Sequence, residues 1–152
     1  MTPARNRPTP PGLDPVSEIV VRVNYSEADR MGVAYHGRYV VWLDMARTEH
    51  LRRTGISYRE LEDGGLLLAV TDLRIRFRRA AAYDDLVRIR CWVRDLASRR
   101  ITFGYAIEHG DHGTLLATGE TSLVATDRQF RVVRLPDEVR RRLVPCSDPV
   151  RL

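Results

Sequence analysis

Four runs in the second half of the chain alternate apolar and polar side chains with a period of two. Leu73, Ile75 and Phe77 interleave with Asp72, Arg74, Arg76 and Arg78, and Val87, Ile89, Cys91 and Val93 interleave with Arg88, Arg90 and Trp92. Ile101, Phe103, Tyr105 and Ile107 form a third run, and Leu115 to Ala125 a fourth. Successive side chains of a strand point to opposite faces, so each run predicts a strand with one buried and one polar face. Ala82-Tyr83-Asp84-Asp85, Leu96 to Arg99 and Gly110-Asp111-His112-Gly113 are turn-prone and separate them. Long strands with short connections make an antiparallel meander.

The first half reads differently. Between Glu18 and Asn24, the run Ile19-Val20-Val21-Arg22-Val23 is short and rich in β-branched residues, which predicts another strand. Arg38 to Arg53 contains no Pro or Gly and places Tyr39, Leu43 and Ala46 at helical spacing, with Val40, Val41, Trp42 and Met45 widening the apolar surface. A helix apolar nearly all round must be covered by other elements, whereas its second half, from Arg47, is polar enough to emerge into solvent. Gly55 is a stop signal, Ser57 to Glu62 a short helical turn, and Pro136 to Leu143 a short C-terminal helix. The predicted class is α+β, an antiparallel sheet wrapped around one long central helix. Residues 1–16 hold most of the prolines and are expected to be a disordered tail, 17–145 the folded domain and 146–152 a C-terminal tail.

Composition narrows the chemistry. With 152 residues and 43% apolar content, one domain is expected. The chain has no apolar run long enough for a membrane span and its first residues lack the centre of a signal peptide, so a cytoplasmic protein without membrane association is expected. Cys91 and Cys146 are too few for a disulfide framework and are expected as free thiols. His36, His50, His109 and His112 fall in no metal-ligand spacing, so neither a metal nor another cofactor is predicted. All 25 basic residues are arginine, which excludes Schiff-base chemistry and a phosphate loop's lysine. The net charge of +5 suits an anionic ligand. Nucleic acid fits poorly, because the tail is too short for a helix-turn-helix and surface aromatics among the arginines are sparse.

Candidate chemistry concentrates between Tyr25 and Arg47. An Asp-x-x-Gly turn, Asp29 to Gly32, stands just ahead of the apolar helix and puts a carboxylate beside a helix N-terminus. Backbone N–H groups there can hold a carbonyl while the carboxylate acts on it or on a water, as acyl transfer requires. On its own, Asp29 reads more simply as a turn or N-cap residue, and only the surrounding pattern reverses that. Asp44 and Arg47 are spaced as an intrahelical ion pair. Arg74, Arg76 and Arg78 read as a solvated sheet face.

The surrounding pattern, Tyr25-x-Glu27-x-Asp29-x-x-Gly32-x-x-Tyr35-His36-x-x-Tyr39-x-x-Trp42-x-Asp44-x-Ala46-Arg47, with Phe77-x-x-x-Ala81 and Asp84-Asp85 beyond it, resembles the hotdog-fold acyl-CoA thioesterases of the 4-hydroxybenzoyl-CoA thioesterase-like family. The resemblance runs from about Ile19 to Pro136. Two positions depart from the family pattern: Ala28 stands where Thr usually precedes the catalytic Asp, and Asp44 where many relatives carry Glu.

The resemblance implies that Asp29 is the catalytic carboxylate, as nucleophile or general base, and that the backbone N–H at His36 polarises the thioester carbonyl. It implies that Gly32 permits the tight turn and that Tyr25, Tyr35, Gly37 and Tyr39 line or support the acyl site. Arg99, Arg100 and Arg128 become candidates for the coenzyme A phosphates, and Asp44 a reserve carboxylate. The substrate implied is an acyl-CoA or an acyl carrier protein thioester. The assembly implied is a homodimer, alone or doubled into a tetramer, with strands of two copies joined into one sheet and the active sites at their interface. The alternatives on this fold are a dehydratase-like enzyme, disfavoured because no His is followed by a Pro-Gly turn, and a non-catalytic acyl-CoA sensor.

Overall fold

A computed structural model describes residues 13–152; most of the expected N-terminal tail, residues 1–12, lies outside the described residues. The elements are β1 (Val16–Arg22), α1 (His36–Arg53), α2 (Tyr58–Asp63), β2 (Leu67–Phe77), β3 (Leu86–Leu96), β4 (Arg100–His109), β5 (Leu115–Thr126) and α3 (Asp137–Arg142). The five strands form one sheet in the order β1-β3-β4-β5-β2, with every pairing antiparallel. The three consecutive strands β3, β4 and β5 are its centre, as short connections require.

Helix α1 lies on one face of the sheet. Trp42, Leu43, Ala46 and Leu51 from the helix share a core with Ile89, Cys91, Val93, Phe103 and Tyr105. Leu43 of α1 also reaches Gly119 of β5, where a Cβ would stand 3.1 Å from Leu43 Cδ1 and 3.3 Å from the Arg74 carbonyl. A side chain there would need Leu43 or the Arg74 backbone to give way by a few tenths of an ångström.

Two expectations about faces are corrected. Leu73 and Phe77 were expected to be buried, yet they remain 46% and 49% exposed. Strand β2 is the edge of the sheet while α1 packs mainly over β1 and β3, so the described residues leave much of β2 uncovered. For the same reason the helix is not covered all round: Val40, Val41 and Met45 stay exposed.

Trp92, in phase with polar side chains, is fully buried. Its ring lies on Gly104, where a Cβ would come within 2.5 Å of it. Its Nε1–H donates to Asp148 Oδ1 at 3.0 Å, and Arg94 donates to the same carboxylate. The segment after α3 reaches this face because Cys146 N–H donates to the Val93 carbonyl at 3.0 Å, beyond the point where β1 stops pairing with β3. Cys91 and Cys146 are free thiols. Among the described residues no helix is long and apolar enough to cross a membrane.

Candidate functional site

Between β1 and α1 the chain makes a 3-10 turn, Tyr25–Glu27, and then a tight hairpin from Ala28 to Ala34. Asp29 N–H donates to the Val33 carbonyl at 2.9 Å, and Gly32 N–H to the Asp29 carbonyl at 3.0 Å. Gly32 has φ +76°, the left-handed region that glycine enters without a Cβ penalty. The segment after β2 braces the hairpin: Ala34 N–H donates to the Ala81 carbonyl at 2.7 Å, and Tyr83 N–H to the Gly32 carbonyl at 3.0 Å. Asp29 Oδ1 accepts from Met31 N–H at 2.8 Å, an Asx turn. Its Oδ2 has no partner among the described residues and the side chain is half-buried.

Helix α1 then starts at His36, with Tyr35 as an N-cap that makes no side-chain cap. Tyr35 N–H is taken by the Glu27 carbonyl at 2.8 Å, and Arg38 N–H by the Tyr35 carbonyl at 2.9 Å. Among the described residues, the N–H groups of His36 and Gly37 have no acceptor. They are two of the donors that every helix N-terminus leaves open, at its positive end. The Tyr35 ring rests against the His36 ring at 4.5 Å and covers Gly37, where a Cβ would stand 2.6 Å from Tyr35 Cε1. Glycine at 37 therefore lets the tyrosine lie over the helix start.

Glu27 was assigned no role from sequence. Its buried carboxylate accepts from Asn24 N–H at 3.1 Å, Arg38 Nε at 2.9 Å and Trp42 Nε1 at 3.1 Å. Burial pushes its pKa up, yet these hydrogen bonds and the Arg38 charge together outweigh burial and hold it below the ordinary carboxylate value. The spacing Asn24-x-x-Glu27, that of a capping box, was the available signal. Tyr83, whose ring meets Tyr25 edge-on at 5.8 Å, had no such signal, because only tertiary pairing brings it there.

Tyr25 is 83% exposed, whereas Tyr39 is buried and supports the site from below. Its hydroxyl accepts from Ala81 N–H at 3.2 Å and its ring meets Phe77 edge-on at 5.0 Å. Burial raises the Tyr39 pKa and the Ala81 hydrogen bond opposes it. Thus Tyr25, Asp29, Gly32, Tyr35, His36, Gly37 and Tyr39 gather at one end of the molecule.

The three candidate arginines do not join them within one chain. Arg99 sits in the β3–β4 turn with its carbonyl accepting from Ala125 N–H, and Arg100 pairs with Val124. Arg128 donates to the Asp63 carbonyl at 2.9 Å and lies beside Gly65, just before β2. Phe77, against Tyr39, ends β2. At roughly 3.3 Å per residue, the ends of this 11-residue strand are about 33 Å apart. Asp44 pairs with Arg47, which is buried and also donates to Tyr58 Oη at 2.8 Å. Among the described residues no group of three or more His, Cys, Asp or Glu side chains is arranged to hold a metal.

Residues 23–143 match the model of the thioesterase-like superfamily. The acyl-CoA thioesterase YbgC of Haemophilus influenzae is 31% identical over 129 residues, which are 84% of this chain and 94% of that protein. Among solved structures, the DHNA-CoA thioesterase of Staphylococcus aureus superposes with a TM-score of 0.76 at 32% identity, over 79% of this chain and 80% of that one. A 4-hydroxybenzoyl-CoA thioesterase variant solved with 4-hydroxybenzoyl-CoA has a TM-score of 0.79 over 86% of this chain and all of that one. At 15% identity it attests the shared hotdog fold alone.

Proposed function

The chain belongs to the thioesterase-like superfamily, and from that premise we propose that it hydrolyses an acyl-CoA with Asp29 as the reacting carboxylate. It is a thioester hydrolase. The observation that carries the residue assignment is the pairing of an unpartnered Asp29 Oδ2 with two open N–H groups at the start of α1.

In this reading the thioester carbonyl oxygen accepts from His36 N–H and Gly37 N–H. The carbonyl carbon then faces either Oδ2 itself or a water that Oδ2 deprotonates. By the first route the C–S bond breaks as Oδ2 forms a mixed anhydride, coenzyme A leaves as thiolate, and water hydrolyses the anhydride. By the second, hydroxide adds to the carbonyl and the collapsing intermediate expels the thiolate. A thiolate is a good leaving group, so neither route calls for a metal. Each well-placed N–H donor is worth about 3 kcal/mol to the oxyanion. Met31 N–H on Oδ1 fixes the carboxylate's orientation.

The separation of the arginines from Asp29 favours a dimeric site. Two β2 edges paired antiparallel about a two-fold axis would bring the Arg100 and Arg128 end of one copy beside the Asp29 end of the other. The uncovered Leu73 and Phe77 of β2 and Val40, Val41 and Met45 of α1 are the apolar surface such a pairing would bury. A second copy would also complete the wrapping of the sheet around α1 as a central helix.

The test is release of free thiol from a panel of short, long and aromatic acyl-CoAs, with an acyl carrier protein thioester alongside. Wild type is expected to turn over at least one of them and Asp29→Asn to lose turnover by more than about 100-fold. Equal rates in the two folded proteins would sink the assignment.

A further inference from the structure

We propose that Glu27 is a positioning residue for this reaction, holding the Asp29 hairpin in fixed register with the open N–H groups of α1. The proposal rests on the reading of Asp29 as the reacting carboxylate.

The two parts of the site belong to different elements. Asp29 rides on the hairpin from Ala28 to Ala34, and the donors belong to the first turn of α1. Local bonds to Met31, Val33 and Gly32 fix the shape of the hairpin, but none of them ties it to the helix. Glu27 does so at both ends. Its carbonyl accepts Tyr35 N–H at the exit of the hairpin, at 2.8 Å. Its side chain, at the entrance, reaches Arg38 and Trp42 on the helix, while Oε1 turns back to Asn24 N–H. Arg38 and Trp42 stand four apart and therefore on one face of α1, so their donors converge on the single oxygen Oε2.

Charge makes the clamp stiff. Hydrogen bonds to an ionised acceptor are roughly twice as strong as neutral ones. The Glu27 side chain is only 6% exposed, so water competes little for its carboxylate. Glutamine in its place offers one acceptor oxygen and one NH2 group, leaving at least one of the three donors facing another donor. The hairpin would keep its turn and the helix its open N–H groups, yet their mutual position would loosen. Misplacement of reacting groups by about 1 Å costs turnover on the order of 100-fold without removing any of them. A residue serving stability alone would lower the melting temperature and leave the turnover of the folded enzyme unchanged.

The experiment measures kcat, KM and Tm for wild type, Glu27→Gln, Arg38→Gln, Asp29→Asn and His50→Asn on the best substrate of the panel. His50 lies at the far end of α1, so His50→Asn reports the effect of lost stability alone. In Glu27→Gln, kcat is expected to fall about 10- to 100-fold with KM within about 3-fold of wild type. Arg38→Gln, which removes one donor from a partly exposed side chain and should fold, is expected to show a smaller fall in kcat of the same kind, and His50→Asn none. The proposal is overturned if Glu27→Gln and Arg38→Gln keep wild-type kcat while Asp29→Asn is inactive. It is equally overturned if His50→Asn loses kcat in the same proportion at a matched drop in Tm. Should Glu27→Gln not fold, kcat in Arg38→Gln decides between these outcomes. Wild-type turnover in Asp29→Asn would instead overturn the reading beneath the proposal, and the proposal with it.

Discussion

Lowering the pH from 7.5 to 5 should remove about 2 kcal/mol of stability through one side chain, His50. It is buried on α1 with Nδ1 2.6 Å from Ser17 Oγ and its ring edge-on to Phe103 at 6.1 Å. Burial lowers its pKa most and the Arg53 charge lowers it further, against a hydrogen bond involving the Cys91 backbone, from 6.5 to about 4. The folded state therefore prefers the neutral ring. Well above pH 6.5 neither state holds the proton and the contribution is fully present. As pH falls from 6.5 towards 4 the unfolded chain takes up a proton that the folded chain refuses, and stability drops. The gap of about 2.5 pH units, at about 1.36 kcal/mol each, makes the whole effect about 3 kcal/mol, of which about 2 has gone by pH 5. Urea unfolding of wild type and His50→Asn between pH 7.5 and 4.5 tests this. Carboxylate titration is common to both proteins and cancels in the difference. Asparagine keeps a polar group near Ser17 but does not titrate, so the variant should start less stable and then lose less on acidification. Parallel loss in the two proteins across this range would refute the reasoning.

Two further outcomes are expected. Leu73→Glu places a charge on the uncovered edge strand, and light scattering should find a dimer for wild type and a monomer with little thioesterase activity for the variant; a fully active wild-type monomer would remove the case for a shared site. Gly104→Ala puts a methyl group into the Trp92 ring, which is fully buried and held by Asp148, so a cost of about 1–3 kcal/mol is expected in thermal unfolding with kcat for thioester cleavage unchanged; unaltered stability would show that the C-terminal segment yields without cost.

What could be read in the sequence was what is local. The period-two runs appeared as β3, β4 and β5, although the polar or small faces of β4 and β5, with Thr102, Ala106, Thr118 and Ser122, are buried as well. Strand β2 was caught only from Asp72 onward, although it starts at Leu67. Its register with β5 shifts between Val70 and Asp72, so the extra residue breaks the alternation that reveals a strand. The burial of Trp92 depends on Asp148, 56 residues later, and no period carries that. The same division runs through the site. The Asp29 turn and the start of α1 are neighbours in sequence and could be read together. Arg99, Arg100 and Arg128 are placed by the length of β2, and their distance from Asp29 had no sequence signal.

Geometry also separates the two candidate carboxylates. Asp44 lies eight residues into α1 from His36, so at about 1.5 Å rise per residue it stands about 12 Å along the axis from the open N–H groups. A carbonyl held by those groups is beyond its reach in the same chain. It also holds Arg47, a buried guanidinium packed beside Tyr58 and near Tyr105. Removing Asp44 would leave that charge without its carboxylate, so loss of activity in an Asp44 variant would report a disturbed core as readily as lost chemistry. Asp29 has no such second duty beyond its own turn, where Asn can still accept from Met31 N–H. Asp29→Asn is thus the substitution in which a loss of turnover without a loss of folding speaks about the reaction itself.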